Sequence, residues 1–338
     1  MTCAFGNNKQ EQGVTQEGQG RVVAVVVTYN RVAQLQVTLA RLLDSAPAHL
    51  HAILVIDNAS TDDTAQWLAT QSDPRLNVVR CATNLGGAGG FETGMRAATD
   101  RFDPDWTLVM DDDARPHSDA LAQFHAQDRT TAEAWAAAVF HPDGRICDMN
   151  RPSINPFWHK DIMRRTLLGG GRDGFHLGQP HYDGQVPCDV DGASFVGLFV
   201  SRAAVVRVGY PDGSLFIYGD DVLYTLGLRR AGGRILFDPH VRFEHDFSTM
   251  SDEDQRFRPL WKTYYHYRNL LMVYRLCSGW LFALVLPAVA LKWVAKVRYY
   301  PGERRAFLGY VIRALRDGVF SRTDVSHTQV TRWDTTKR

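Results

Sequence analysis

The chain has 338 residues, 45% hydrophobic and 22% charged, an ordinary globular composition that excludes a disordered or collagen-like chain and leaves ample length for a core. Its 38 Lys/Arg and 37 Asp/Glu give a net charge of +1, so global charge carries no sign of a nucleic-acid binder. The balance hides a partition: residues 255–338 hold 16 basic and 4 acidic side chains, against 22 and 33 in residues 1–254, and a basic end on an acidic body points to an anionic surface as partner.

Residues 1–20, polar and without an apolar run, read as a flexible tail and not as a signal peptide. Arg21–Thr28 is a continuous β-branched run, the pattern of a strand buried on both faces. A helix follows, with Val32, Leu35, Leu39, Leu42 and Leu43 on one face. His51–Asp57 is a second strand, Ser60–Asp63 a helix start, Leu76–Arg80 a third strand and Gly86–Thr99 a glycine-rich helix. Trp106–Met110 is a fourth strand that runs into Asp111-Asp112-Asp113. Strand and helix alternating at this spacing predict right-handed βαβ units in a doubly wound sheet, whose ligands sit beyond the carboxyl ends of the strands. Thr28–Arg31, Asp57–Ser60 and Asp111–Asp113 all fall at such ends.

The middle, residues 141–188, shows little periodicity and is expected as a long functional loop. Val196–Val200 reads as a strand, Tyr218–Gly232 as an acidic turn entering a helix, and Arg234–Phe237 as a strand with His245 beyond it. From about residue 253 to 317 the pattern is helical. The most apolar stretch, Gly279–Leu291, is shorter than the ~20 residues of a membrane-spanning helix and contains Pro287, which fits an interfacial or buried helix. Cys3, Cys81, Cys147, Cys188 and Cys277 are widely spaced without a C-x-x-C, so no disulfide framework or zinc site is expected, and a reducing compartment fits.

Three adjacent carboxylates repel one another and call for a cation; oxygen-rich clusters favour Mg²⁺ or Mn²⁺, which in turn grip a diphosphate. Asn84–Gly94 fails the dinucleotide pattern, because the third glycine position counted from Gly87 is Glu92 and the segment follows the third strand, not the first. Asp220-Asp221 opens a helix, and His245 lies in Phe243-Glu-His-Asp246.

Together these segments resemble a family 2 glycosyltransferase of the GT-A fold across roughly residues 21–275. Val25–Arg31 resembles that family's opening strand and loop, Val55–Asp62 its second strand, Asp111–Asp113 its metal-binding D-x-D, and Gly219–Tyr224 the segment with the acceptor-activating acid. Asn84–Phe91, the triple Asp, Asp220-Asp221, His245 and Tyr264–Asn269 further resemble bacterial galactofuranosyltransferases. The chain is expected to differ from the polymerising mycobacterial type, which carries an N-terminal β-sandwich, and whether it adds one residue or many stays open.

The resemblance implies a GT-A (Rossmann-like), mostly parallel α/β sheet flanked by helices in residues 21–250. It places a C-terminal helical, membrane-associated region at 251–320 and a tail at 321–338. It implies inverting transfer of galactofuranose from UDP-galactofuranose to a lipid-linked glycan, with dTDP-rhamnose as the alternative donor. Asp221 is the expected base, with Asp220 as fallback. Asp111, Asp113 and His245 would hold Mn²⁺ or Mg²⁺. Thr28, Tyr29, Asn30, Arg31, Asp57, Asn58, Asn84 and Asp111 would hold the nucleotide, and Asp112 would meet the sugar or ribose. The backbone of Gly86, Gly87 and Gly90 would approach the sugar or phosphate.

Trp280, Leu281, Phe282, Leu284, Val285, Trp293 and Val294, beside Lys292, Lys296, Arg298, Arg304 and Arg305, suit an anionic membrane interface on the inner, cytoplasmic face. Trp158 and His181 are acceptor candidates by position. A nucleotidyltransferase would want a basic glycine-rich loop after the first strand, where Thr28–Arg31 stands. A non-catalytic sugar-binding protein would have lost a carboxylate of the site.

Overall fold

The structure, a computed structural model, describes residues 20–246 and 256–333. The expected tail over residues 1–20, Gly20 excepted, lies outside the described residues, as do Cys3, residues 253–255 of the helical run and the final five of the C-terminal tail. The described strands are β1 (Val22–Thr28), β2 (Ala52–Asp57), β3 (Leu76–Arg80), β4 (Trp106–Asp111), β5 (Ala114–Pro116), β6 (Ala134–Phe140), β7 (Cys188–Val190), β8 (Leu198–Ser201) and β9 (Ile235–His245). The helices are α1 (Val32–Leu43), α2 (Thr64–Leu68), α3 (Gly86–Phe102), α4 (Ala120–Ala126), α5 (Lys160–Arg165), α6 (Gln179–Tyr182), α7 (Arg202–Val208), α8 (Asp220–Arg230), α9 (Lys262–Ser278), α10 (Phe282–Ala295), α11 (Arg304–Val319) and α12 (His327–Arg332).

All nine strands form one sheet in the order β3-β2-β1-β4-β8-β6-β9-β5, with β7 beside β9. β1 lies between β2 and β4, parallel to both, and every one of its residues is buried. Val22, Ala24 and Val26 enter the core with Leu35, Leu39 and Leu42 of α1; Val23, Val25 and Val27 enter the opposite core with Phe91 and Met95 of α3. A strand covered on both faces has no place for polar alternation, which is why its sequence is a continuous apolar run.

The expected parallel arrangement holds in β3-β2-β1-β4, whereas β5, β7 and β8 run antiparallel to their neighbours, so the second half is mixed. Within the expected loop over 141–188 stand the short α5 and α6, and two strands also depart from the sequence reading. β6 is alanine-rich and carries no strand signal, alanine being the strongest helix former; burial between β8 and β9 makes it a strand. β9 does not stop at Phe237 but continues to His245, through a register shift against Ala137/Ala138 that passes Pro239. His245 is therefore the end of a strand, paired with Ala114, and not a residue beyond one.

The C-terminal helices enclose a third core around Tyr264, Tyr267, Trp293, Phe307 and Tyr310. Gly279, at φ 55°, separates α9 from α10, and the Pro301-Gly302 turn precedes α11. Residues 321–333, expected as part of a tail, return to this core: α12 is capped by the Ser326 side chain and its Val330 is fully buried.

Candidate active site

The carboxyl ends of β1, β2 and β4 converge on a cleft of about 590 Å³. Thr28 Oγ1, at the end of β1, donates to Asp112 Oδ2 at 2.7 Å. Arg31 spans the acidic turn, with N···O distances of 3.1 Å to Asp112 and 2.7 Å to Asp113. The Asp112 carboxylate is thus engaged on both oxygens while it borders the cleft. Burial pushes its pKa up to about 7, against the pull of Arg31. Asp111 rises well above the usual carboxylate range, through burial and then the charges of Asp113, Asp112 and Asp220. Asp113 is held below that range: burial opposes this, but hydrogen bonding to His245 and the charges of His245 and Arg31 prevail.

Asp111, Asp113 and His245 each bring one ligand atom into a group whose members lie within 4.8 Å of one another. His245 Nε2 stands 3.1 Å from Asp113 Oδ1, and its Nδ1 stands 2.7 Å from Asn150 Oδ1. The Asn150 amide donates from Nδ2 to Ser194 Oγ at 2.9 Å, which turns its oxygen toward the imidazole. The Asn150 oxygen accepts from Nδ1–H and so aims Nε2 at the carboxylates, where it hydrogen-bonds Asp113 and stands where a metal-ligating nitrogen would, fixed from behind. The donor set, two carboxylates and one imidazole, fits a divalent cation between Mg²⁺ and Mn²⁺ in character.

Of the residues expected at the nucleotide, Thr28, Tyr29, Arg31, Asn58, Asn84, Gly86, Gly87, Asp111 and Asp112 line the cleft; Asn30, Asp57 and Gly90 do not. Asn30, at φ 55°, ties two loops together, its Oδ1 accepting from Thr61 N at 2.7 Å. Asp57 Oδ1 accepts from Ser60 N at 2.8 Å; its buried Oδ2 has no hydrogen-bond partner among the described residues, with Arg80 Nε 3.5 Å away. Gly90 serves packing: a Cβ there would lie 2.5 Å from Val27 Cγ1, so the glycine lets α3 lie close on β1. The N-terminus of α3 is also taken, since Ala88 N donates to Phe216 O at 3.0 Å and a Cβ on Gly86 would fall 2.0 Å from that oxygen. Only Gly87 of these glycines has open space around it at the cleft.

The facing wall comes from residues the sequence did not single out: Phe216, Ile217, Tyr218, Trp261, Lys262 and His327. Phe216 and Tyr218 hold positive φ of 69° and 68°, conformations that cost energy in side-chain-bearing residues and persist only when held from outside. Asn269 holds them, its Nδ2 donating to the carbonyls of Leu215, Ile217 and Tyr218 at 3.1, 2.8 and 2.8 Å. Arg268 adds a bond to Leu215 O at 2.8 Å. The His327 ring stacks on Phe216 at a centroid distance of 4.2 Å. Lys262 lines the cleft with its pKa lowered by burial.

That loop ends at Gly219, φ 78°, which starts α8 with Asp220 and Asp221 in its first turn. Burial pushes Asp220 up to about 8, with the charge of Asp221 adding to it. Burial also pushes Asp221 up to about 6, eased by backbone N–H groups, among them its bond from Val222 N at 2.7 Å. Burial thus raises both carboxyls of this interacting pair, Asp220 further than Asp221.

Comparison with known proteins agrees with this geometry. Residues 23–169 match the family model described as glycosyl transferase family 2. The undecaprenyl-phosphate mannosyltransferase of Micrococcus luteus is 29% identical over 151 residues, covering 44% of this chain and 60% of that protein. The galactofuranosyltransferase GlfT1 of Mycobacterium tuberculosis is 28% identical over 218 residues, covering 62% of this chain and 65% of that protein. The chain spans less than two-thirds of the length of these relatives. Among solved structures, the mannosyltransferase PcManGT of Pyrobaculum calidifontis in complex with GDP-Man and Mn²⁺ superposes with a TM-score of 0.52 at 16% identity, over 90% of this chain and 89% of that one. Residues 1–349 of S. aureus TarS in complex with UDP-GlcNAc give 0.53 at 14% identity, over 93% and 92%. At such identities these two likenesses speak for the fold. The sheet order and the strand-end loops are those of a GT-A fold, and residues 23–169 within it match the family 2 glycosyltransferase model.

Proposed function

We propose that the protein is an inverting, metal-dependent glycosyltransferase that moves galactofuranose from UDP-galactofuranose to a lipid-linked glycan. The observation that carries this reading is the meeting of Asp111, Asp113 and His245 beside the cleft that Asp111, Thr28 and Gly87 line, with the charge of Asp220 felt at Asp111. The galactofuranose donor rests on the relatives named galactofuranosyltransferases.

In this reading Asp221 takes the proton of the acceptor hydroxyl, the acceptor oxygen bonds to the anomeric carbon, and the bond from that carbon to the diphosphate breaks with its electron pair on the leaving oxygen. Asp220 stays protonated and does not compete for that proton. Asn58 fixes the loop at Asn84–Gly86 by accepting from Leu85 N at 2.9 Å and donating to Gly86 O at 2.8 Å, which shapes the cleft around the nucleotide. A Mn²⁺ or Mg²⁺ ion held by Asp111, Asp113 and His245 would neutralise charge developing on the diphosphate.

The same reading seats α10 on an anionic membrane. Among the described residues one helical run, Lys262–Tyr299, is long and apolar enough to cross a membrane, yet Gly279 breaks it and α10 alone is about 21 Å long. Trp280, Leu284, Leu291 and Val294 form an exposed apolar stripe, with Trp280 85% exposed, beside the exposed Lys292. Trp293, expected among the membrane anchors, is instead buried and stacks on Tyr267. An outward apolar stripe flanked by lysine suits the boundary of an anionic bilayer.

The decisive experiment measures nucleotide release with UDP-galactofuranose, UDP-galactopyranose, UDP-glucose and dTDP-rhamnose, each with Mn²⁺ and with EDTA. Selective, EDTA-sensitive turnover of UDP-galactofuranose is expected; selective turnover of dTDP-rhamnose would replace the donor and keep the chemistry. Flotation with phosphatidylglycerol vesicles, compared between the chain and its Leu284→Glu/Leu291→Glu variant, tests the membrane contact, and equal binding of the two would remove it.

A further inference from the structure

A second cleft, of about 620 Å³, shares no lining residue with the first. Its walls include Trp158, His159, Lys160, Asp189, Asp191 and Arg229. We infer that this cleft is a distal acceptor subsite, which holds sugar residues of a glycan acceptor remote from the hydroxyl that reacts; it rests on the proposed transfer to a glycan.

Two independent lengths connect it to the base. Asp221 and Arg229 lie eight residues apart on α8, about 12 Å along the axis. Beside α8 runs the segment from Asp191 to Phe195, four residue steps that span about 13 Å when extended. Ala193 N donates to Thr225 Oγ1 at 3.2 Å midway, the Phe195 N–H faces Asp221, and Arg229 Nε donates to Asp191 Oδ1 at 3.0 Å at the far end. The second cleft therefore lies along one side of α8 from the base, at a separation that a short run of linked sugars covers.

The walls suit a neutral, hydroxyl-bearing ligand. Asp191 is 2% exposed and saturated by Arg229, by His159 Nε2 at 2.8 Å and by Asn155 N at 2.8 Å. Asp189 is paired with Arg234 at 2.7 Å. With these two carboxylates paired and Lys160 beside the remaining one, Asp161, the walls offer polar edges with little net field for an anion. Trp158 is 37% exposed in a turn that is tied down at several points: Trp158 N donates to Asn155 O at 3.0 Å, and Asn155 Nδ2 donates to Cys277 O at 3.3 Å at the end of α9. A rigid, open indole gives the apolar face of a pyranose or furanose ring a platform, while paired polar groups meet its hydroxyls. His181, the other acceptor candidate by position, does not line this cleft.

The test uses the full chain with Mn²⁺, UDP-galactofuranose and alkyl galactofuranosides of one, two and four residues. Trp158→Ala raises KM for the tetrasaccharide about tenfold, the worth of roughly one aromatic contact, and leaves KM for the monosaccharide and for the donor unchanged. Trp158→Phe retains most of the long-acceptor affinity, which separates a stacking role from a loss of fold. An equal rise for the monosaccharide, or no rise for the tetrasaccharide, overturns the subsite. If the wild-type chain binds UDP but turns over no acceptor, the transfer reading is at fault. Tetrasaccharide binding followed by saturation-transfer NMR then decides the subsite separately: binding lost in Trp158→Ala upholds it, and no binding by the wild type ends it.

Discussion

One wall of the proposed donor cleft is supplied by Thr28, Tyr29, Arg31, Asn58 and Asp111-Asp112, all at the carboxyl ends of parallel strands; the facing wall is supplied by Phe216–Tyr218, Trp261-Lys262 and His327, from three separate stretches of chain. The first wall inherits its geometry from the ladder of β1, β2 and β4, whose register sets Thr28 opposite Asp57 and Val27 opposite Asp111. The second has no ladder beneath it. Side-chain bonds from Asn269 and Arg268 to loop carbonyls hold it, together with the stack of His327 on Phe216. The first wall is rigid because the sheet is rigid; the second is as rigid as a few buried polar contacts make it.

Four substitutions set the walls against each other. The largest effect is expected where the second wall meets the chemistry: Asp221→Asn lowers kcat by about 10³-fold, within the range for loss of a general base, and leaves UDP affinity unchanged. Turnover at the wild-type rate would remove Asp221 from the reaction. Next comes the support of the metal cluster: Asn150→Ala frees His245 and weakens Mn²⁺ binding by roughly 10- to 100-fold, read by titration in the presence of UDP. Unchanged Mn²⁺ affinity would show that Asn150 does not orient the imidazole.

Asn269→Ala isolates the second wall. It leaves the carbonyls of Ile217 and Tyr218 without their side-chain donor, while Arg268 still serves Leu215 O, and costs about 2 kcal/mol of stability, measured by urea denaturation. Its kcat is expected to fall more than its UDP affinity, because the loop it releases leads into Asp220-Asp221; the opposite split would place the loop's role in nucleotide binding.

The smallest effect is in pH dependence. The proposed reaction needs Asp221 ionised, so kcat/KM is expected to fall as pH drops through about 6. For Asp220 the folded chain binds its proton more tightly than the unfolded one, so this carboxyl's contribution to stability declines as pH rises from the ordinary value of 3.8 through about 8. Asp220→Asn should therefore raise the melting temperature at pH 8 and make no difference near pH 4. A gain of equal size at both would assign the effect to packing and not to charge.

Thr28, Arg31, Asn58 and the acidic triplet were legible because a continuous apolar run marks a central strand and polar residues at its end mark a ligand edge. The glycines were legible as glycines but not in their purpose: what Gly86 and Gly90 make room for is Phe216 O and Val27, neither of them near in sequence. His245 was visible as a candidate, while Asn150, which orients it, carries no local pattern at all.

The sequence by itself determined the parallel β1–β4 unit, α1, α3 and the start of α8, since apolar periodicity and glycine placement act over a few residues. Tertiary structure decided the rest. It made a strand of alanine-rich β6, because burial between β8 and β9 outweighs helix propensity. It extended β9 so that His245 reaches Asp113. It turned His327, in a stretch with little apolar pattern, toward the cleft, because Val330 finds its place in a core that only the folded helices create.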